Sequence, residues 1–408
     1  MNCGLLGRKL GHSYSPQIHA MLGDYPYALH ELEPEDIGNF LNGDHFTGLN
    51  VTIPYKKDVI PYCSELTPAA RKLGSVNTIV RQADGSLIGH NTDYFGFLSA
   101  VRKTGLSVSG KKSLVLGSGG ASVTAVAVLQ ELGCEVVVIS RSGENNYSNL
   151  HIHSNAALIV NATPVGMYPN NGISPVSLDI FPALEGVIDM IYNPSSTALL
   201  QQAEERNLIA ENGLWMLVAQ AKESAEWFTG EAIDANMIPT IYNNLYRQMR
   251  NIILVGMPGC GKSTVGKLLS EMTGRQFIDA DSYIAQSAGM SIPDIFATGG
   301  EKHFRQLETN CLSELSKKSG IIIATGGGCV TRRENYPLLH QNGTIVWLQR
   351  NINDLPTDGR PLSKSRPLTE MYRVRKPLYE AFSDLTVNND RDPMIAAKEI
   401  LNRLQMEV

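Results

Sequence analysis

A glycine-rich loop that ends in a lysine and a serine carries the clearest chemistry in this sequence. Residues 256–263 match G-x-x-x-x-G-K-[ST] between a strand-like run and a helix-like run, the context that a phosphate-binding loop requires. Backbone N–H groups would surround the phosphates, Lys262 would reach the β- and γ-phosphates, and the Ser263 hydroxyl would ligate Mg²⁺. The alternative is a chance glycine turn. We predict an ATP and Mg²⁺ site formed by Gly256, Gly259, Cys260, Gly261, Lys262, Ser263 and Thr264.

A second glycine-rich turn lies in the first half of the chain, again between a strand-like run and a helix-like run. It resembles a dinucleotide-binding fingerprint and consists of Gly117, Gly119, Gly120 and Ala121. The next strand-like run ends in Ser140, Arg141 and Ser142. An NAD-specific site places a carboxylate there, whereas an arginine and two hydroxyls would hold a 2′-phosphate. The turn therefore favours NADP, with an exposed surface arginine as the alternative.

The residues after the phosphate loop distinguish a kinase from a GTPase, which the loop alone cannot do. A short predicted strand, 277–281, ends in two carboxylates whose side chains lie on one side. Asp279 would hold metal-bound water, and Asp281 would meet an acceptor hydroxyl. A predicted helix that begins at Gly299 presents Arg305 from its surface.

Three further segments complete this second set of residues. The predicted strand 321–325 runs into three glycines, where backbone can approach a substrate closely. The polar stretch 351–366 contains Arg360 and predicts a lid over ATP, and Arg375 follows it. A single arginine of this kind is more often a surface residue. Together with Asp281, these arginines suit an acceptor that carries both a carboxylate and a hydroxyl.

The elements that must position these residues alternate short β-like runs with helix-like runs. This alternation indicates an α/β fold with parallel sheets. Each glycine-rich loop opens its own βαβ unit, so each half should form its own sheet. The helix-like stretch 239–247 leads almost directly into the strand-like run at Asn251, which predicts a short join. A length of 408 residues suits roughly two to four domains.

The bulk composition excludes several classes of protein. Hydrophobic residues make up 43% and charged residues 18% of the chain, as in globular proteins. A net charge of -5 argues against a nucleic-acid partner. No apolar run approaches transmembrane length, and the N-terminus lacks the features of a signal peptide. The 6 cysteines include no Cys-x-x-Cys pair, so we expect a reduced, cytoplasmic location without a membrane partner.

The C-terminal pattern resembles that of the shikimate kinases over residues 251–408. The shared motifs are the phosphate loop, Asp-x-Asp, Phe-Arg-x-x-Glu, Gly-Gly-Gly, Arg-Pro-Leu and Arg-x-Pro-Leu-Tyr. The resemblance implies a nucleoside-monophosphate-kinase-like fold and transfer of the γ-phosphoryl group of ATP to the 3-hydroxyl of shikimate. It implies shikimate contacts at Asp281, Arg305, Gly327, Gly328 and Arg375. It also implies catalytic roles for Lys262, Asp281 and Arg360, with metal contacts at Ser263 and Asp279.

The N-terminal pattern resembles that of the shikimate dehydrogenases over about residues 1–249. The motifs are Ser-x-Ser-Pro, Asn-Val-Thr-x-Pro-x-Lys, Val-Asn-Thr, Gly-x-Asn-Thr-Asp, Asn-Ala-Thr-Pro-Val-Gly-Met and Val-Ala-Gln-Ala. They imply NADPH-dependent reduction of 3-dehydroshikimate, with Lys56 and Asp93 as the catalytic pair. They imply shikimate contacts at Ser13, Ser15, Asn50, Thr52, Asn77, Asp93, Tyr192 and Gln220. Further NADP contacts are implied at Asn161, Thr163, Met167 and Gly213.

The implied domain organisation has three parts. Residues 1–97 and 214–249 form a substrate lobe, 98–213 a Rossmann NADP lobe, and 250–408 the kinase. Reduction of a ketone by hydride develops an alkoxide, and a lysine with a tuned pKa can supply both the proton and the nearby positive charge.

The two implied reactions are consecutive, which predicts a bifunctional enzyme of aromatic amino-acid biosynthesis with only small-molecule substrates. One alternative is a quinate/shikimate dehydrogenase of broader cofactor use joined to the kinase. The other is a metabolite-sensing regulator built from degenerate enzyme domains, although the predicted catalytic residues are all present. Between Arg141 and Asn161 the chain is short and polar, so the predicted 2′-phosphate contact rests on Arg141.

Overall fold

The computed structural model describes residues 1–11, 13–355 and 367–406. Its contacts divide the chain into two units. The first consists of Met1–Gly166, Ile173–Tyr192 and Gln202–Asn244. The second consists of Met167–Gly172, Asn193–Gln201 and Leu245–Val408. Two short segments from the N-terminal half of the sequence therefore belong to the second unit.

The first sheet of the first unit is mixed, and its strands run in the order β2-β1-β3-β5-β6-β4. The strands are β1 (Cys3–Gly7), β2 (Tyr27–Glu31), β3 (Gly48–Val51), β4 (Glu65–Leu66), β5 (Thr78–Arg81) and β6 (Leu87–His90). The helices among them are α1 (Ser15–Leu22), α2 (Ile37–Asn42) and α3 (Pro68–Leu73). β5 and β6 pair antiparallel as a hairpin around Gly85.

The second sheet is fully parallel, in the order β11-β10-β9-β7-β8. Its strands are β7 (Lys112–Leu116), β8 (Glu135–Ile139), β9 (Leu158–Asn161), β10 (Gly186–Asp189) and β11 (Ile209–Glu211). The helices of this part of the chain are α4 (Asp93–Lys103), α5 (Gly120–Glu131), α6 (Ala198–Glu205), α7 (Leu214–Thr229) and α8 (Met237–Met249). The predicted strand, glycine turn and helix are thus confirmed as β7 and α5.

The third sheet forms the centre of the second unit and is also fully parallel, in the order β13-β14-β12-β15-β16. Its strands are β12 (Asn251–Val255), β13 (Phe277–Asp279), β14 (Ile322–Ala324), β15 (Gly343–Gln349) and β16 (Leu385–Asn388). The helices are α9 (Lys262–Thr273), α10 (Ala280–Ala288), α11 (Ile292–Leu315), α12 (Asn335–His340), α13 (Leu368–Phe382) and α14 (Pro393–Arg403). The predicted βα unit around the phosphate loop is confirmed.

The central strand β12 shows why this sheet forms. All of its residues are buried, and β14 and β15 flank it on either side. A strand covered on both faces needs a continuous apolar run, and Ile252 to Val255 provide one. Trp347 on β15 stacks against Tyr379 of α13, with ring centroids 5.6 Å apart. This packing fixes the carboxyl ends of the strands, from which the phosphate loop emerges.

One sequence-based boundary was wrong. The strand predicted over 277–281 ends at Asp279, whose carboxylate accepts a hydrogen bond from Ser282 N at 3.1 Å and caps α10. Asp281 therefore lies in the first turn of a helix, because capping by Asp279 outweighed the strand pattern. The helix predicted to begin at Gly299 corresponds to the second part of α11, which starts at Ile292 and is kinked at Gly300, where φ is 69°.

In the part of the chain that the structure describes, no helix has both the length and the apolar surface that a membrane span requires.

Candidate active sites

Lys56 and Asp93 form an ion pair in the first unit, with Nζ and Oδ2 2.5 Å apart. Lys56 lies in the loop after β3, and Asp93 is the first residue of α4. Their side chains are 30% and 19% exposed, so a small molecule can reach both. The pair can hold a substrate hydroxyl and exchange a proton with it.

Three of the predicted shikimate-binding amides meet beside this pair. Asn50 lies on β3, Asn77 precedes β5, and Gln220 lies on α7. Asn77 Nδ2 donates to Thr92 Oγ1 at 3.1 Å, and Thr92 Oγ1 donates to Gln220 Oε1 at 3.3 Å. Asn50 and Asn77 are 6% and 3% exposed. Thr92 immediately precedes Asp93, so the amides and the ion pair share one region of the unit.

The remaining predicted shikimate contacts lie at the ends of other elements. Ser13 Oγ accepts a hydrogen bond from Ser15 N at 3.2 Å, and both hydroxyl side chains are partly exposed. Ser15 is not the N-cap of α1, a role that Tyr14 occupies without a side-chain bond. Thr52 follows β3 and is partly exposed. Tyr192 packs edge-on against Tyr14, with ring centroids 6.1 Å apart, and burial raises the pKa of its hydroxyl.

The glycine turn after β7 has the geometry of an anion site. Gly117 has a φ of 104°, and a Cβ there would lie 2.9 Å from Thr163 Cγ2, so glycine is required. At Gly119 and Gly120 a Cβ would meet nothing within 4 Å. The N-terminus of α5 therefore faces open space, and its free N–H groups and positive potential can receive a pyrophosphate. Ala121 follows in the first turn and is exposed.

The candidate 2′-phosphate residues lie at the end of β8. Gly117 N donates to Ile139 O at 2.8 Å, which holds the end of β8 against the glycine turn. Arg141 and Ser142 are exposed there, and Ser140 is partly exposed. Ser140 N donates to Asn145 O at 3.1 Å, so the polar segment after Arg141 folds back on itself. This turn leaves the guanidinium accessible to a phosphate.

The predicted NADP contacts farther along the chain include structural anchors. Asn161 is fully buried. Its Nδ2 donates a hydrogen bond to Asp189 Oδ1 at 3.0 Å, and its Oδ1 accepts one from Thr163 Oγ1 at 2.7 Å. At Gly213 a Cβ would lie 2.1 Å from Met190 O, so only glycine fits. Met167 is 44% exposed.

The second unit contains a cavity of about 570 Å³. It joins residues that the sequence places in the phosphate loop, after β13, on α11 and after β14. Of the predicted residues, it is lined by Gly259, Gly261, Lys262, Ser263, Thr264, Asp279, Asp281, Arg305, Gly327, Gly328 and Arg375. This volume is large enough for the triphosphate group of a nucleotide together with a small organic acid.

The phosphate loop is built by three glycines in left-handed or related conformations. Gly256, Gly259 and Gly261 have φ values of 146°, 85° and 99°. Lys262 Nζ donates to Gly256 O at 2.9 Å and to Met257 O at 3.1 Å, so it lies folded over the loop. The Cys260 side chain is buried beneath the loop and does not line the cavity. Ser263 Oγ donates to Asp279 Oδ2 at 2.6 Å.

The opposite wall presents cations held by buried partners. Arg305 Nη1 donates to the fully buried Glu308 carboxylate at 2.7 Å, and Arg375 Nη1 donates to Gly327 O at 3.1 Å. At Gly328 a Cβ would lie 2.1 Å from Arg305 Nη2. Burial raises the pKa of Glu308, although Arg305 opposes that shift. These contacts leave guanidinium N–H groups for a carboxylate.

Asp281, the predicted partner of the acceptor hydroxyl, lines the cavity. Its Oδ1 is buried and makes no hydrogen bond to any described residue. Burial raises the pKa of its carboxyl group, and the charge of Asp279 raises it further. A carboxylate with a raised pKa is a stronger base toward a hydroxyl.

Sequence reasoning missed several residues of both sites. In the kinase cavity these are Phe296, Phe304 and Arg350. The Nε atom of Arg350 is buried and makes no hydrogen bond to any described residue. In the dehydrogenase region they are Tyr27, Thr78, Thr92 and Ser224. Arg350 could have been predicted as a site residue from the sequence, because it directly follows the apolar strand β15. Arg360 and the rest of segment 356–366 lie outside the described residues.

Comparison with known protein families gave a match in each part of the chain. A model described as shikimate kinase matches residues 258–405. A model described as shikimate dehydrogenase substrate binding domain matches residues 5–79. The shikimate dehydrogenase (NADP(+)) of Clostridium beijerinckii is 33% identical over 261 residues, which cover 59% of this chain and 96% of that protein.

Solved structures resemble the N-terminal part. Shikimate dehydrogenase 1 from Peptoclostridium difficile is 39% identical with a TM-score of 0.55, and the match covers 60% of this chain and 98% of that chain. Shikimate 5-dehydrogenase from Thermus thermophilus, in complex with NADP(H) and shikimate, is 30% identical with a TM-score of 0.55. That match covers 60% of this chain and 99% of the other.

Proposed function

We propose which residues perform each of the two reactions of this chain. The chain belongs to the shikimate dehydrogenase family and also carries a shikimate kinase domain, so it is a bifunctional enzyme of the shikimate pathway. The N-terminal part reduces 3-dehydroshikimate to shikimate, and the C-terminal part phosphorylates shikimate at its 3-hydroxyl. The product of one site is thus the substrate of the other. The observation that supports the proposal most strongly is that the chain contains both the Lys56–Asp93 ion pair and a cavity beside the phosphate loop.

In the dehydrogenase reaction, NADPH supplies the hydride that reduces the ketone. Lys56 donates a proton to the oxygen as its negative charge develops, and it accepts that proton in the reverse direction. Asp93 holds the ammonium group 2.5 Å away and accepts a hydrogen bond from a ring hydroxyl. Ser13, Ser15 and the amides near Asp93 orient the ring. The open N-terminus of α5 binds the pyrophosphate, and Arg141 binds the 2′-phosphate.

In the kinase reaction, ATP supplies the γ-phosphoryl group. Arg305 and Arg375 bind the carboxylate of shikimate, which directs its 3-hydroxyl toward Asp281. Asp281 accepts the hydroxyl proton as the oxygen attacks the γ-phosphorus, and the bond to the β-phosphate oxygen breaks to release ADP. Lys262 leaves the loop carbonyls that it contacts and stabilises the charge on the transferred group. Arg360, from the segment outside the described residues, completes this role.

The residues near Ser263 suit Mg²⁺. Ser263 Oγ and Asp279 Oδ2 lie 2.6 Å apart at the N-terminus of α9, and hydroxyl and carboxylate oxygens are the ligands that Mg²⁺ prefers. Phosphate oxygens and water would supply its other ligands, and its charge would offset that of the triphosphate. Ser263 would bind the ion directly, and Asp279 would hold one of its water molecules.

We also propose a cytoplasmic location with small molecules as the only substrates. Each of the 6 cysteines is unpaired, which supports a reduced compartment. The substrates NADPH and ATP are supplied in the same compartment.

The proposal is tested by a reciprocal pair of variants assayed for both reactions. Lys56→Ala should lower kcat of the dehydrogenase roughly 100-fold or more while the kinase retains its activity. Lys262→Ala should lower kinase activity by a similar factor and leave the dehydrogenase intact. Each activity serves as the folding control for the other, because both are carried by one chain.

Two results would contradict the proposal. Dehydrogenase activity that survives Lys56→Ala would remove this residue from the proton-transfer step. A wild-type chain that binds shikimate but catalyses neither reaction would instead support a metabolite-sensing regulator.

A further inference from the structure

Three side-chain hydroxyls lie buried among the predicted shikimate-binding amides. Thr78, Thr92 and Ser224, here called the hydroxyl cluster, are each 0% exposed. Their oxygens lie 3.0 to 3.3 Å from one another. They come from β5, the residue before α4 and the middle of α7. The cluster thus joins the segments that carry Asn77 and Gln220, and Asn50 of β3 donates hydrogen bonds to it.

The direction of the hydrogen bonds starts from the backbone of α7. Ser224 Oγ donates its only proton to Gln220 O at 3.0 Å, so its oxygen can only accept further bonds. Asn50 Nδ2 donates to it at 2.8 Å. The amide nitrogen of Asn50 must therefore face the cluster. Its oxygen then faces the other way and accepts from the Tyr27 hydroxyl at 2.7 Å.

Backbone groups orient the other two amides. Asn77 Oδ1 accepts from Thr92 N at 2.8 Å, so Asn77 Nδ2 faces Thr92 Oγ1 at 3.1 Å. Gln220 Nε2 donates to Leu217 O at 2.9 Å. The bond from Ser224 to the helix carbonyl therefore selects the orientation of Asn50 among these three amides.

We propose that Ser224 is a positioning residue of the dehydrogenase, a role that rests on the proposed function. An amide presents a donor from one end and an acceptor from the other, and a flipped amide offers a ring hydroxyl the wrong group. Ser224 and Tyr27 hold the Asn50 amide from opposite ends. Together they set the affinity for the ring acid, while proton transfer by Lys56 is unaffected.

The test compares Ser224→Ala, Tyr27→Phe and the double variant in shikimate oxidation. Each single variant should raise KM for shikimate roughly three- to tenfold, the effect of one hydrogen bond, with kcat within about twofold. KM for NADP and the kinase constants should stay unchanged. Because both residues act on one amide, the double variant should show less than the product of the single effects. Ser224→Thr, which keeps the hydroxyl, should restore part of the affinity.

Ser113→Ala is the matched control. Ser113 is also 0% exposed and lies on β7 of the same unit, but its hydroxyl is not part of the hydroxyl cluster. It should leave KM for shikimate unchanged. The partly exposed Tyr27 provides a second variant should Ser224→Ala fold poorly.

The proposal is overturned if folded Ser224→Ala and Tyr27→Phe both keep the wild-type KM for shikimate. Multiplicative effects in the double variant would also overturn it, as would an equal rise in KM in Ser113→Ala. A wild-type chain without shikimate oxidation would contradict the proposed function itself. Wild-type activity with unaffected variants would contradict only the role of Ser224.

Discussion

At the scale of single residues, solvent exposure distinguishes side chains that can contact a ligand from buried side chains that support the binding loops. Arg141 is exposed at the end of β8, whereas Asn161 is fully buried with both ends of its amide engaged. Both match one family pattern, yet their environments differ. An exposed guanidinium can bind a phosphate directly, and a buried amide instead fixes the loop that follows it.

The proposed preference for NADP depends on Arg141. Arg141→Ala should raise KM for NADPH roughly tenfold with little effect on the reaction with NADH, because the lost contact is a charge-assisted bond to the 2′-phosphate. Steady-state kinetics with both cofactors measure this effect. Arg71→Ala, which removes an exposed arginine from the last turn of α3, is the control.

Equal effects on both cofactors would show that Arg141 does not contact the 2′-phosphate. The same assays with quinate in place of shikimate separate a strict shikimate dehydrogenase from a quinate/shikimate enzyme of broader cofactor use.

At the scale of elements, the segment after β14 shows how backbone shapes a binding wall. Its glycines leave room for neighbouring side chains. A Cβ at Gly326 would lie 2.3 Å from Glu308 Oε1, and one at Gly328 would overlap the Arg305 guanidinium. The glycines allow α11 to present its charged face to the cavity.

The variant Gly328→Ala tests this packing. The added methyl group must displace Arg305 from its place beside Glu308, so KM for shikimate in the kinase reaction should rise roughly tenfold or more. KM for ATP should change little. The dehydrogenase activity of the same chain is the control. A change confined to KM for ATP would contradict the assigned position of the acid.

At the scale of the whole molecule, the second unit is not one continuous stretch of sequence. It includes Asn193–Gln201, and within it Ser195 N donates to Asn342 Oδ1 at 2.9 Å and Ser196 N donates to Gln341 O at 2.8 Å. A domain boundary at residue 250 therefore leaves part of this unit in the dehydrogenase part of the sequence.

A fragment of residues 250–408 should consequently be less stable than the same unit in the full chain. It lacks several hydrogen bonds to Gln341 and Asn342, and its Tm should fall by roughly 5 °C or more. Calorimetry of both proteins measures the difference. Asn342→Ala should cost less in the fragment than in the full chain, because its partner Ser195 is already absent. Equal transitions and equal costs would show that segment 193–201 does not support the unit.

The sequence by itself determined the chemistry and the fold class of both parts. A phosphate loop or dinucleotide turn needs a few adjacent residues whose backbone binds the anion, so a short motif predicts it. Alternating apolar runs predicted parallel sheets, because strands buried on both faces require them. The strand end predicted at Asp281 was wrong because capping by Asp279 starts a helix there.

Only the tertiary structure decided how residues far apart in sequence share one site. Asn50 and Ser224 are separated by 174 positions and come within 2.8 Å because α7 packs beside β3. The overlap of a Cβ at Gly328 with Arg305 likewise depends on how α11 lies against β14. Such contacts follow from the packing of whole elements, and a hydrogen bond across that packing leaves no periodic pattern in the chain.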